Sequence, residues 1–271
     1  MQRVERLMMG VLVVVLALGG SWAYAQGTAP GEAAGNKWEF NVIPYFWMAG
    51  IGGDMTVKGR DASLDSSFSD IWDDLDFGAE VHMNARKGKW GVFLDVTYLD
   101  LSESGEAIRH PALGAIDGKV DVTEWVIELG GAYQVAKWPL DNQRAVSLDV
   151  IGGGRYWELE SELTLTVEAL DRSFNRSATK QWIDPFVGLV MQTDLGRNFL
   201  LTLRGDIGGF GVGTDFTWNA IVLLGYRITH GISAWVGYRA MNLDYEDGSG
   251  DDRTAYDITM QGPIIGVSFT F

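Results

Sequence analysis

From residue 37 onward, apolar and polar residues alternate with period two over long stretches, which predicts β-strands with two chemically distinct faces. In Asn198–Gly208 one face reads Phe199, Leu201, Leu203 and Ile207, and the other Asn198, Thr202, Arg204 and Asp206. In Phe77–Arg86 the faces are Phe77, Ala79, Val81, Met83 against Glu80, His82, Asn84, Arg86. The alternation recurs in Trp90–Tyr98, Thr123–Lys137, Phe216–Tyr226, Ile232–Ala240 and Pro263–Phe271. Many apolar faces begin or end in an aromatic: Trp90 with Tyr98, Trp125 with Tyr133, Phe216 with Tyr226. The opposite faces carry charge deep inside the strands. Seven acids fall there by alternation: Glu80, Asp95, Glu124, Glu128, Asp149, Asp184 and Asp206. Five arginines share that face, Arg86, Arg155, Arg204, Arg227 and Arg239, with His82 nearby. A soluble sandwich or barrel buries an apolar face against itself. A regular charged face suits the polar interior of a barrel whose aliphatic exterior meets lipid between two aromatic girdles. The fold class is therefore all-β, a transmembrane antiparallel up-and-down barrel.

The connections fit that architecture. Short turns are expected at Arg86–Lys89, Pro139–Gln143, Asp194–Asn198 and Thr229–Gly231. Long, polar, mostly acidic connections are expected at Gly50–Leu75, Ser104–Gly118, Glu160–Ser177 and Asn242–Arg253. Short and long alternate, as periplasmic turns and extracellular loops do in outer-membrane barrels. The count is about ten strands, with twelve or eight as alternatives. They are placed near 37–49, 76–87, 89–103, 119–137, 144–159, 177–194, 198–209, 215–228, 231–245 and 255–271. If the last strand runs down to the periplasm, 76–87 also runs down and 37–49 runs up. Parity then makes 50–75 an extracellular or lumen-entering excursion, where spanning strands are allowed only in pairs. A short helix is expected at Ser69–Leu75, capped by Ser69, with Ile71, Trp72 and Leu75 on one side.

Residues 1–25 read as a signal peptide, with Arg3 and Arg6 before an apolar run and an A-x-A site ending at Ala25. The run of about 13 residues is too short to span a bilayer as a helix, which takes roughly 20. Residues 26–36 are small and polar and read as a flexible leader, leaving 37–271 for the barrel. Composition agrees with tight turns and many strands: 35 Gly, 6 Pro, 12% aromatic and no cysteine among 271 residues. The absence of cysteine excludes disulfides and thiolate metal sites. A net charge of −15 argues against nucleic acid as a partner, because phosphate binding rests on clustered Lys and Arg.

Four constellations carry candidate chemistry. Gly208–Gly213 (GGFGVG) has the look of a dinucleotide loop, but Phe216–Tyr226 alternates with period two and supplies no helix N-terminus for a phosphate. It reads as a glycine loop between strands. The inward charges are close to balanced, so they predict a network that fills a narrow lumen, or else lines a small, slightly cation-preferring pore. Two acidic groups, Asp244, Glu246, Asp247, Asp251, Asp252 and Asp54, Asp61, Asp65, Asp70, Asp73, Asp74, can hold divalent cations through oxygen ligands. Their spacing does not match an EF-hand, and solvated loops are the simpler reading. A rim enzyme would draw on His110 with Arg109, Glu106, Ser102 and Ser104, but a single loop histidine is a weak catalytic signature. No cofactor is implied.

Several stretches resemble a family of Gram-negative outer-membrane β-barrel proteins. The carrying residues are Trp38–Phe40, Pro44–Trp47, Phe68–Asp70, Leu75–Gly78, Gly205–Gly213 with Trp218, Gly237–Arg239 and Gly262–Phe271. The resemblance spans most of residues 38–271 and implies architecture and location in the cell outer membrane. It supplies no catalytic residues. It implies membrane lipid and lipopolysaccharide as surroundings and the barrel-assembly machinery as a partner, with Phe271 as the assembly signal. The function expected is a structural scaffold or small narrow channel with a charge-paired lumen. The alternative is a barrel-rim hydrolase acting on lipid or peptide.

Overall fold

The computed structural model describes residues 37–57, 60–110, 114–141, 144–167, 172–250 and 253–271. The expected signal peptide and leader lie outside the described residues. Twelve strands and one helix follow in order: β1 (Glu39–Trp47), β2 (Gly50–Val57), β3 (Arg60–Ser66), α1 (Phe68–Asp74), β4 (Leu75–Lys87), β5 (Trp90–His110) and β6 (Gly114–Pro139), then β7 (Ala145–Val167), β8 (Arg172–Gly196), β9 (Phe199–Gly209), β10 (Phe216–Arg227), β11 (Ile232–Asp247) and β12 (Thr254–Thr270). Ten of them, β1 and β4 to β12, pair antiparallel with their neighbours and close when β12 meets β1. Closure leaves no sheet edge within the membrane.

β2 and β3 are the two extra strands. β1 pairs with the lower half of β12, from Asn41↔Thr270 to Trp47↔Ile264. β2 then takes up pairing with the upper half, from Gln261↔Gly50 to Thr254↔Val57, and β3 folds back on β2. The excursion at 50–75 therefore carries a hairpin, and its two strands keep the parity of the ten. The helix begins at Phe68 rather than at Ser69, and Ser67 rather than Ser69 caps it. Ser67 and Asp70 form a reciprocal capping box. The Ser67 hydroxyl holds the Asp70 carboxyl below its ordinary range.

Two expected loops are strand instead. β5 and β6 run on through Ser104–Gly118 to His110↔Gly114, and β7 and β8 through Glu160–Ser177 to Val167↔Arg172. Ladder hydrogen bonds satisfy the backbone, and the alternating Leu163, Thr164, Leu165, Thr166 and Val167 favour extended geometry. These four strands therefore rise well beyond the lipid. The periplasmic turns are tight, as expected. Arg197 and Asn198 both have positive φ (52° and 72°), the conformation of a two-residue I′ turn.

Val92, Leu129, Ile183, Leu189, Val222 and Val236 form an exposed apolar belt. Aromatic pairs mark its edges: Trp90–Tyr133 at 4.6 Å near the periplasmic turns and Tyr98–Trp125 at 4.5 Å above. Trp90 and Tyr98 are about eight strand residues apart, roughly 20 Å along the normal at the usual tilt, close to the height of a lipid-facing band.

Candidate functional site

The inward positions build a lumen in four levels. Uppermost is an apolar cap of Val126, Trp157, Met241, Leu243 and Met260, with Trp47, Ile51 and Trp182 packed against it. Next comes an ionic ring. Arg155, completely buried, donates from Nε to Glu128 Oε1 at 2.9 Å and from Nη2 to Asp206 Oδ1 at 2.7 Å. Arg204 reaches the other oxygens of the same two acids, Glu128 Oε2 at 2.6 Å and Asp206 Oδ2 at 2.8 Å. Two guanidiniums and two carboxylates thus close a neutral cycle, drawn from β6, β7 and β9. Charge-assisted bonds of this kind repay the desolvation of buried ions only when every oxygen is used, and here all four carboxylate oxygens are.

Further groups seal the ring against the barrel wall. Asn219 donates to Asp206 Oδ2 at 2.9 Å and accepts from Arg239 Nε at 3.1 Å. Arg239 lies 3.6 Å from Glu128 and 3.9 Å from Asp95. Asp95 accepts from the Tyr45 hydroxyl at 2.9 Å and meets His82 Nδ1 at 3.0 Å. Below the ring lies a floor of Phe93, Ile151 and Phe186. The arginines stack on aromatic faces: Arg155 over Phe186 at 5.2 Å, Arg204 over Phe93 at 5.5 Å, Arg239 over Trp47 at 4.6 Å. Beside this cluster a vestibule, with Arg204, Arg239 and Asp95 in its ceiling, reaches down to the short turns.

The inward charges named from the sequence thus fall into separate groups. Glu128, Arg155, Arg204, Asp206, Arg239, Asp95 and His82 meet in one network. Arg86 pairs with Asp149 in the vestibule. Arg227 pairs with Asp194 at 3.3 Å, an acid outside the expected set. Glu80 accepts the Trp47 backbone N–H at 2.5 Å, and Glu124 lines with it a small cavity under α1. Asp184 stands apart, although it is opposite Arg155 in register. Three neutral N–H groups hold it: Thr214 N at 2.7 Å, Trp157 Nε1 at 2.9 Å and Trp182 Nε1 at 3.3 Å. It thereby anchors the Gly209–Asp215 connection, where a Cβ at Gly213 would stand 2.6 Å from its carboxylate. That connection leads into β10, so no helix N-terminus follows the glycines.

Tyr45, Thr217, Asn219 and Asp194 were not among the expected site residues. Tyr45 sits in an aromatic run, Tyr45–Trp47, that hides the period. Asn219 and Thr217 carry no charge to draw notice, although the alternation of β10 points them inward. Among the acidic groups, Glu246 pairs with Arg253 at 2.7 Å and Asp247 with Lys180 at 3.2 Å. Among the described residues, no three His, Asp or Glu side chains are placed to hold a metal. Asp251 and Asp252 lie outside the described residues. The described histidine side chains, His82 and His230, both line the periplasmic vestibule, and the His110 side chain lies outside the described residues.

No protein-family model matches the chain, and no curated protein does. Among solved structures, the chain is similar to the outer membrane protease OmpT from Escherichia coli, with a TM-score of 0.54 at 10% identity, over 91% of this chain and 100% of that one. It also aligns with the translocator domain of autotransporter NalP from Neisseria meningitidis, with a TM-score of 0.40 at 13% identity, over 99% of this chain and 96% of that one. A third match is Ail of Yersinia pestis, with a TM-score of 0.31 at 13% identity, over 88% of this chain and 99% of that one. Together with the lipid-facing belt, the OmpT match shows that the chain has the closed-barrel fold of Gram-negative outer-membrane proteins.

Proposed function

We propose that this protein is a closed scaffold of the outer membrane rather than a diffusion pore. The observation that carries the reading is the Arg155–Glu128–Arg204–Asp206 cycle. Together with Asn219, Arg239, Asp95 and Tyr45 it occupies the lumen beneath an apolar cap, with Phe93 and Phe186 packed against its arginines. A pore of this bore needs a continuous polar, wet path, and an ion crossing here would have to break charge-assisted bonds in a dry site. On this reading the partners are membrane lipid and lipopolysaccharide along the belt, and the assembly machinery at β12 with Phe271. The acidic groups of the β2–β3 hairpin, α1 and the end of β11 are the places where divalent cations would bind. The rim-hydrolase alternative rests on His110 and its neighbours and gains only a shared fold from the protease comparison. Planar-bilayer recording tests the proposal. Wild type should be nearly closed, and Arg204→Ala or Arg239→Ala should lower the unfolding temperature and raise single-channel conductance. Strong conductance of the wild type, with both variants unchanged, would mean that the arginines line a wet pore.

A further inference from the structure

The vestibule below the ring has a volume of about 570 Å³, within the range of sites that hold small organic ligands. Its two walls differ in kind. β1 and β4 present mainly polar groups, Asn41, Tyr45, His82 and Asn84, whereas β9 to β12 set an apolar patch of Leu200, Ile221, Leu223, Trp235 and Ile264 among Thr202, Ser233, Ser268 and the arginines. The indole N–H of Trp235 is committed to Ser268 at 3.0 Å, which leaves the ring as apolar surface. A concave apolar wall of this size is unfavourable against water and is satisfied by an apolar body.

Charge is distributed unevenly as well. In a chain of net charge −15, the rim of this cavity gathers Lys89, Lys137 and His230, with Arg86 and Arg227 just inside. Asp149 and Asp194 are taken up by those two arginines. Lys89 and Lys137 are exposed and have no ion-pair partner among the described residues, and Glu39, an acid lining the same cavity, lies opposite Arg86 in register. A slightly cation-preferring lumen was the expectation from the summed inward charges. Of the acids that favoured it, Glu128 and Asp206 are taken up in the ring, Asp149 by Arg86 and Asp184 by neutral N–H groups, while Glu80 and Glu124 lie above the ring under α1, so the periplasmic rim is left mainly cationic.

We propose that the vestibule is a binding site, entered from the periplasm, for a single-chain anionic amphiphile such as a fatty acid or a lysophospholipid. The chain lies against the Leu200–Ile264 wall, and the anionic head stays among Lys89, Lys137 and His230. The ionic ring forms the ceiling, so the site holds its ligand and does not pass it through.

The test uses the protein in amphipol, free of detergent, titrated with a dansylated fatty acid. A saturable rise in dansyl emission is expected. Laurate or lysophosphatidate should reverse it, and whichever does so more tightly identifies the head group preferred. Dodecyltrimethylammonium, with the same chain length and opposite charge, should not. Lys89→Glu combined with Lys137→Glu should weaken binding about tenfold or more, and Leu223→Glu should abolish it. The lysine pair is exposed, so heat-modifiable gel migration should be unchanged in that variant. A non-saturable signal, equal displacement by the cationic amphiphile, or unaltered affinity in the folded lysine variant would each overturn the proposal.

Discussion

One inward face, on the same strands, is solid at the level of the ring and hollow a few residues closer to the periplasm. On β9, Arg204 and Asp206 belong to the ring, while Thr202 lines the vestibule. On β7, Arg155 is fully buried, while Ser147 opens onto the cavity. Period two decides which way a side chain points, but its length decides whether the lumen is filled. A ten-stranded barrel is wide enough that serine, threonine, glycine and alanine cannot meet across its axis, whereas arginine and glutamate from several strands can. The ring is where long side chains of opposite charge share one level, and Ala132, Thr202 and Ser233 mark where they do not.

The largest effect should come from the ring itself. Arg155→Ala takes one of the two guanidiniums from a buried pair of carboxylates, leaving a net negative charge for Arg204 alone to balance in the cycle, and should lower unfolding free energy by about 3–5 kcal/mol in urea titrations of refolded protein. Asn219→Ala sharpens the contrast, since this neutral residue links Asp206 to Arg239. It should cost about 1–3 kcal/mol in the same titration, for hydrogen bonds lost to charged partners. The smallest effect belongs to the vestibule: Thr202→Arg places a long cation in open space and should change stability by less than about 1 kcal/mol. A Thr202→Arg cost equal to that of Arg155→Ala would show that the two levels are packed alike, and the comparison would fail.

The strands, their facing and the inward charges were legible in the sequence because lipid on one side and a polar lumen on the other impose a strict period. The partners of each charge were not. Cross-barrel neighbours depend on strand stagger, which no local pattern encodes, so Asp184 reads like Glu128 although tryptophan and backbone N–H groups hold it in place of guanidinium. Alternation likewise treats Asn219 and Thr202 as equals, and only packing separates them. The upper parts of β5 to β8 read as loop because acidic residues, serines and glycines dominate 103–118 and 160–177, and the short alternation Leu163–Val167 is outweighed by them. The β2–β3 hairpin was hidden for a similar reason: Gly50–Gly53 and the surrounding aspartates read as loop, while pairing with β12 supplies their order.

The seam has a consequence for the time course of folding. β12 is joined along its length to β1 and then β2, the strands farthest from it in sequence. Phe40 and Phe271 exchange backbone hydrogen bonds in both directions, at 3.1 and 2.9 Å. The loop closed by that pair is nearly the whole barrel, so its entropic cost is the greatest in the molecule and its contacts reward it last. Until they form, β1 and β12 are two raw edges whose N–H and C=O groups lipid cannot satisfy. The nascent barrel is thus unstable in the bilayer by construction until its first and last strands meet, and joining them works as a latch: the sheet acquires its membrane stability in one step, at the end.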